Sequence, residues 1–167
     1  LILYTLFSRG LEHFNLSLFT QATPTPGDDG GLKNAIIGSL IMSGLGIILA
    51  TPIGIFIATY LVEYSNKSAL SKAVRFANDI LLGVPSIITG LFVYAILVAT
   101  LKHFSAIAGV VSLMIIAIPM VVRSTEDVLY LVSPLLRESA IALGVPRWRV
   151  TVYIVYRAAR QGMITAS

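Results

Sequence analysis

The sequence contains no cysteine, which excludes disulfide bonds and metal sites built on thiolates. Charged residues make up only 12% of the chain, whereas soluble globular domains carry about 25%. The two histidines, His13 and His103, lie far apart in the sequence and do not suggest a metal site. A soluble core of this size would need more polar surface to cover it, so these shortages argue against a soluble domain.

The sequence is instead rich in apolar residues, which make up 56% of the chain and give a mean hydropathy of +0.87. Membrane spans are predicted for three long uncharged runs, at 34–62, 80–101 and 104–122. A hydrocarbon core of about 30 Å needs about 20 helical residues, a length that these runs meet or approach. The short apolar runs at 1–7 and 163–167 are interpreted as the end of a first span and the start of a further one. We therefore expect 1–167 to be one all-α transmembrane domain, truncated from a longer chain.

Small residues recur along the first long run at intervals of four, at Gly46, Ala50, Gly54 and Ala58. This spacing puts them on one helix face, where they let the backbone of another helix approach closely. The alternative is that they are small residues compatible with lipid that have no specific packing role. We favour a helix-packing face because the pattern holds at consecutive steps.

The region 8–32 is rich in proline, glycine and aspartate, which predicts an exposed loop. Asp28 and Asp29 are interpreted as solvated loop residues, and no metal site is predicted.

A basic segment at 133–162, here called the elbow, reads as helix, glycine corner, helix. Ser133 is a candidate N-cap and Pro134 suits the first helical position. Gly144 suits the left-handed residue that closes the first helix, and Pro146 can start the second. The elbow is therefore predicted to be a helical pair joined by a tight turn.

Lysine and arginine are distributed unevenly if the three predicted spans alternate in direction. One side receives three of the 12 basic residues, Arg9, Lys33 and Lys102. The other side receives nine, namely Lys67, Lys72, Arg75, Arg123, Arg137, Arg147, Arg149, Arg157 and Arg160. Because cytoplasmic loops carry the excess of basic residues, we expect a cytoplasmic elbow and an extracytoplasmic loop at 8–32.

The run Glu138-Ser139-Ala140, with Gly144 six residues after the glutamate and Ile154 ten residues further on, resembles the EAA loop of ABC importer permeases. Ser139 replaces the first alanine of that pattern, and Tyr156-Arg157 stands where Leu-Pro is usual. The resemblance implies that this loop docks an ATP-binding subunit. The candidate docking residues are Glu138, Ser139, Ala140 and Gly144, within 133–157.

Four longer stretches are similar to the permease subunits of phosphate ABC importers. They are GGLKNAIIGSL at 30–40, ATYLVEY at 58–64, VRFANDILLGVPSIITGLFVY at 74–94 and IPMVVRSTEDVL at 118–129. The resemblance implies a type I ABC importer transmembrane helix bundle, multi-pass in the lipid bilayer of a bacterial inner membrane. It also implies three partners: an ATP-binding subunit, a second homologous permease subunit and an extracytoplasmic phosphate-binding protein.

No phosphate-binding loop of the GxxxxGK[ST] type occurs in the sequence, so ATP hydrolysis is expected on the partner chain. The chain is accordingly expected to be a non-catalytic subunit without a cofactor.

Arg123 and Glu126, one helical turn apart after the third run, are candidates for the anion pathway. Ionisable groups at the end of a span are costly unless paired, and the planar guanidinium suits an oxyanion. We expect Glu126 to neutralise Arg123 until phosphate competes. An alternative that the sequence supports equally is that Arg123 marks the cytoplasmic boundary of the span. Arg75 is a further pathway candidate, interpreted more readily as a cytoplasmic anchor.

Other functions remain open at this point. The nearest is a permease for another small oxyanion, molybdate or sulfate. A membrane-anchored regulator could bind DNA through the elbow, but its second helix, VTVYIVY, offers few polar side chains to bases, and no nucleic-acid partner is expected. An intramembrane enzyme is disfavoured because the spans lack a cluster of His, Asp and Glu.

Overall fold

The structure, a computed structural model, describes residues 2–12, 15–25, 30–65, 68–103 and 105–166, and every regular element among them is helical. The α-helices are α1 (Ile2–Glu12), α2 (Ser17–Thr20), α3 (Lys33–Thr59), α4 (Ala69–Gly83), α5 (Ser86–Val93), α6 (Ala99–Leu101), α7 (Ala106–Tyr130), α8 (Pro134–Ala142), α9 (Arg147–Arg149) and α10 (Tyr156–Ala166). Three π-helical segments extend or join them, at Tyr60–Tyr64, Tyr94–Val98 and Val150–Val155. The chain divides into two compact units, Leu1–Ser43 and Gly44–Ser167.

In the first unit, the backbone before α3 folds back onto α2. Leu32 N donates to Leu18 O at 2.7 Å, and Gly31 N donates to Ala22 O at 3.0 Å. A Cβ at Gly31 would lie 2.5 Å from Gln21 O, so this close approach requires glycine.

The predicted loop at 8–32 needs correction, because it is partly helical. Helix α1 continues past the predicted end of its span at residue 7 to Glu12, since Gly10 is tolerated as a single glycine within a helix. The short helix α2 also lies inside this region.

Among the described residues, two continuous helical stretches are long and apolar enough to cross a membrane. One is α3 with its π-helical extension, Lys33–Tyr64, and the other is α7. Large apolar side chains such as Ile48 and Phe56 are exposed along α3. An exposed apolar surface of this kind is expected where lipid replaces water.

The predicted span at 80–101 is not one continuous helix. Helix α4 ends at Gly83, and the helical chain bends by 104° before it resumes at Ser86. The cause is Pro85, which pushes Val84 into an extended conformation and has no N–H to continue the helix. Residues 80–83 therefore belong to α4, which begins before the predicted span, at Ala69.

Two further helices continue through the boundaries predicted for membrane spans. Helix α7 continues from the predicted end at residue 122 to Tyr130, because no glycine or proline interrupts 123–130. Residues 163–166 continue the helical run that begins at Arg147, and the further span predicted to start there stays a prediction. No proline follows in that run, and Gly162 alone does not end it.

Candidate functional site

The elbow closes on a left-handed glycine. Gly144 has φ +80°, its N–H donates to Ile141 O at 2.9 Å, and Val145 N–H donates to Ala140 O at 3.2 Å. This pair of bonds is the Schellman motif, which satisfies the last carbonyls of a helix and favours glycine at the left-handed position. Pro134 occupies the first turn of α8, and Ser133 precedes it without a capping bond from its side chain.

A compact apolar cluster holds the two arms of the elbow together and against the end of α7. Its buried members are Leu129, Val132, Ala140, Val150, Val155 and Ala159. The cluster lets the elbow keep its shape through side-chain packing, independently of any single polar contact.

The four candidate docking residues do not all share one face of the elbow. Glu138 and Ser139 are exposed on α8, and Gly144 is exposed at the corner. Ala140 instead is buried in the elbow's own cluster, so its small side chain serves packing there. The most exposed large side chain near the corner is Leu143, with 84% of its surface accessible. Sequence reasoning did not single out this apolar tip.

Arg137 makes the densest set of polar contacts at the elbow, and sequence reasoning missed it. Its Nε and Nη2 each lie 2.9 Å from Glu63 Oε1, at the end of the first long helix. Nη1 donates to Val132 O at 2.6 Å and Nη2 donates to Leu129 O at 2.7 Å. The side chains of Arg137 and Glu63 are only 18% and 9% exposed. One guanidinium thus joins α8 to the ends of both long helices.

A signal for this contact was present in the sequence at both partners. Glu63 directly follows an uncharged run of 29 residues, a position where a carboxylate needs a partner. Cations are also favoured at the C-terminal carbonyls of a helix, which Arg137 occupies at α7.

The charged residues on α7 pair differently from the expectation. Glu126 is nearly buried and lies 3.1 Å from Nη2 of Arg75, on α4, rather than pairing with Arg123. The same Nη2 donates to Tyr130 OH at 2.6 Å and to Leu61 O at 3.3 Å. The pairing depends on α4 being helical and packed against α7.

Arg123 is the more accessible arginine of this group. Its Nε lies 3.7 Å from Asp127 Oδ2, four residues further along α7, and its side chain is 58% exposed. An exposed pair at this distance contributes little to stability. The guanidinium of Arg123 is therefore available to another anion, whereas that of Arg75 is engaged.

The small-residue face of α3 is buried at all four positions, Gly46, Ala50, Gly54 and Ala58. A Cβ at Gly54 would lie 2.6 Å from Val121 Cγ1, and one at Gly46 would lie 3.1 Å from Leu113 Cβ. Both neighbours are on α7, so α3 and α7 approach closely along this face. Gly44, on the same helix, has no atom within 4 Å of its Cβ position.

A cavity of about 370 Å³ lies between the elbow and the ends of the long helices. Glu63, Arg137 and Arg147 contribute its charged lining. The cavity leaves space beside the Arg137 contacts.

Asp28 and Asp29, the loop aspartates considered above, lie outside the described residues.

The model of the family described as "Binding-protein-dependent transport system inner membrane component" matches residues 50–167. The chain is 52% identical over 164 residues to a "Phosphate transport system permease protein PstA" of Pasteurella multocida, covering 98% of this chain and 59% of that protein. It is 49% identical over 164 residues to the protein of the same name from Haemophilus influenzae, covering 98% of this chain and 58% of that one. The chain therefore spans somewhat under three fifths of each relative's length, and the resemblance to phosphate-importer permeases is confirmed.

Among solved structures, the chain is similar to one titled as inward-facing conformations of the MetNI methionine ABC transporter, in its native crystal form. The TM-score is 0.65 at 18% sequence identity, over 81% of this chain and 64% of that one. This likeness supports the fold, and the predicted all-α type I ABC importer bundle is confirmed. With a family match over more than half of its residues, the chain belongs to the inner membrane components of binding-protein-dependent transport systems.

Proposed function

We propose that the complete protein is a permease subunit of an ATP-driven importer of inorganic phosphate. Support comes from the two relatives described above, whose names state phosphate transport, at about half identity over nearly the whole chain. The chain itself supplies helices long enough to span a membrane and a family match over residues 50–167.

The observation that carries the proposal is the anchored elbow. Helix α8 ends in a glycine corner with an exposed apolar tip at Leu143 and an exposed carboxylate at Glu138. Behind this tip, Arg137 and the apolar cluster hold α8 to the ends of both long helices. A rigid knob of this kind fits a groove on an ATP-binding subunit and can carry a rigid-body movement into the membrane. Glu138, Ser139 and Gly144 form its partner-facing side, with Ala140 supporting it from inside.

The remaining partners and the location follow from the same proposal. The subunit is multi-pass in a bacterial inner membrane, with the basic elbow in the cytoplasm. It is non-catalytic, with ATP hydrolysed by the docked subunit. A second homologous permease subunit completes the pathway, and an extracytoplasmic binding protein delivers phosphate.

Within the pathway, Arg123 is the proposed contact for the anion. Its guanidinium is exposed, and within the part of the chain that the structure describes its ion-pair partner is Asp127, at a long distance. The planar donors of arginine can bind two oxygens of one phosphate. Arg75 and Glu126 neutralise each other and join α4 to α7, so their role is to hold the helices that carry Arg123.

The test is ATP-dependent uptake by the purified complex in proteoliposomes. The binding protein is added on the extracytoplasmic side, opposite the elbow. Radiolabelled phosphate should accumulate only when ATP is supplied on the elbow side. Excess sulfate or molybdate should leave phosphate uptake unchanged. Uptake of labelled sulfate or molybdate in preference to phosphate would assign the subunit to another oxyanion, and uptake without ATP would remove the importer function.

A further inference from the structure

Docking at the elbow does not by itself explain how a movement of α8 is transmitted to the pathway. Arg137 lies where it can transmit that movement. Its guanidinium contacts three separate parts of the chain: Glu63 after α3, Leu129 O in the last turn of α7, and Val132 O beyond it. Each of the two helices it reaches is long and apolar enough to cross a membrane. A displacement of α8 therefore pulls directly on both.

Three of these contacts are hydrogen bonds, donated by Nε, Nη1 and Nη2, and the fourth is the ion pair between Nη2 and Glu63 Oε1. An arginine has five such donors in a fixed fork, whereas a lysine has three donors on a single nitrogen. A lysine could approach Glu63, but it could not also reach both carbonyls in the same plane. The arrangement is thus specific to arginine.

The elbow does not depend on Arg137 for its fold. The apolar cluster joins α8 to the second arm and to the end of α7 through Ala140, Val150 and Leu129. The Schellman bonds at Gly144 involve only backbone groups. Loss of the guanidinium should therefore leave a folded elbow that is less firmly attached to the long helices.

We propose that Arg137 is a positioning residue that couples movement of α8 to the two long helices, through its joint contacts with Glu63 and the end of α7. The proposal rests on docking of an ATP-binding subunit at the elbow. Arg137 touches neither nucleotide nor phosphate in this role. Its function is to couple ATP hydrolysis on the partner subunit to opening of the pathway.

The experiment compares ATP hydrolysed with phosphate taken up by the complete complex in proteoliposomes. Arg137→Gln should assemble and hydrolyse ATP, but the phosphate transported per ATP should fall roughly fivefold or more, as expected when coupling between sites is lost. Arg137→Lys should recover part of that loss. Arg147→Gln, which removes an exposed arginine lining the same cavity, is the matched control and should keep the ratio.

Glu63→Gln gives a second, independent measurement. It removes the carboxylate but leaves the bonds from Arg137 to the two carbonyls, so the ratio should fall less than in Arg137→Gln. The double variant should resemble Arg137→Gln alone, because both changes act on one contact.

An unchanged ratio in Arg137→Gln, or equal falls in Arg137→Gln and Arg147→Gln, would overturn the proposal. If Arg137→Gln does not assemble, Glu63→Gln decides in its place, and an unchanged ratio there overturns it. Failure of both to assemble also overturns it, since the contact would then serve folding. A wild-type complex without ATP-driven uptake would instead refute the proposed function.

Discussion

Substituting the glycines of α3 by alanine should separate close helix packing from the general properties of the helix. At Gly54 the added Cβ would lie 2.6 Å from Val121 Cγ1, 2.7 Å from Val121 Cβ and 3.3 Å from Val122 N. Rotation of the Val121 side chain can move Cγ1, but it cannot move Cβ or the backbone nitrogen. Gly54→Ala must therefore push α3 and α7 apart.

The size of the effect follows from the same geometry. Forcing an extra carbon into a well-packed contact costs about 1–3 kcal/mol. Gly44→Ala is the matched control, because it lies on the same helix with open space at its Cβ position. Both changes alter backbone freedom and helix propensity alike, so those contributions cancel in the comparison. Gly46→Ala, with its nearest neighbour at 3.1 Å, should fall between the two.

The assay is thermal unfolding of the purified protein in one detergent, with each variant measured beside the wild type. The expected order of stability is Gly44→Ala, then Gly46→Ala, then Gly54→Ala as the least stable. Equal stabilities for Gly44→Ala and Gly54→Ala would refute the inference that the small residues serve close approach between α3 and α7.

Two further predictions concern the anion and the corner of the elbow. Arg123→Gln should lower the initial rate of phosphate uptake. The yield of assembled complex should stay unchanged, because the lost pair with Asp127 is exposed and weak. Uptake equal to that of an Arg149→Gln control would remove Arg123 from the pathway. Gly144→Val should reduce co-purification with the ATP-binding subunit more than Gly144→Asn, because a left-handed backbone costs an L-residue roughly 1–2 kcal/mol and asparagine tolerates it best. No atom lies within 4 Å of a Cβ there, so equal yields for both variants would show that backbone strain at the corner does not matter.

Features that depend on local chemistry could be predicted from the sequence. The glycine corner follows from Gly144 and Pro146, and the structure places Gly144 in the left-handed conformation as expected. The recurrence of small residues at intervals of four marked the face of α3 that the structure buries. Neither inference needs knowledge of which helix lies opposite.

Features that depend on tertiary position could not be predicted in the same way. Arg123 and Glu126 are one turn apart on α7, which suggested an ion pair. Glu126 pairs instead with Arg75 on the neighbouring helix α4. That partner became reachable only because α4 is helical and ends at the Pro85 break. Arg137 and Glu63 are 74 residues apart, and their contact follows from how α8 folds back on the ends of α3 and α7.

Docking through the elbow is tested most directly by cross-linking from its tip. The 167 residues contain no cysteine, so Leu143→Cys introduces a single thiol in this region at a position that is 84% exposed. A short thiol-reactive cross-linker should join it to the ATP-binding subunit in the assembled complex. Phe56→Cys, 72% exposed within the uncharged run of α3, should give no such product. An intact complex without a product at residue 143, or with equal product at residue 56, would contradict docking at the elbow.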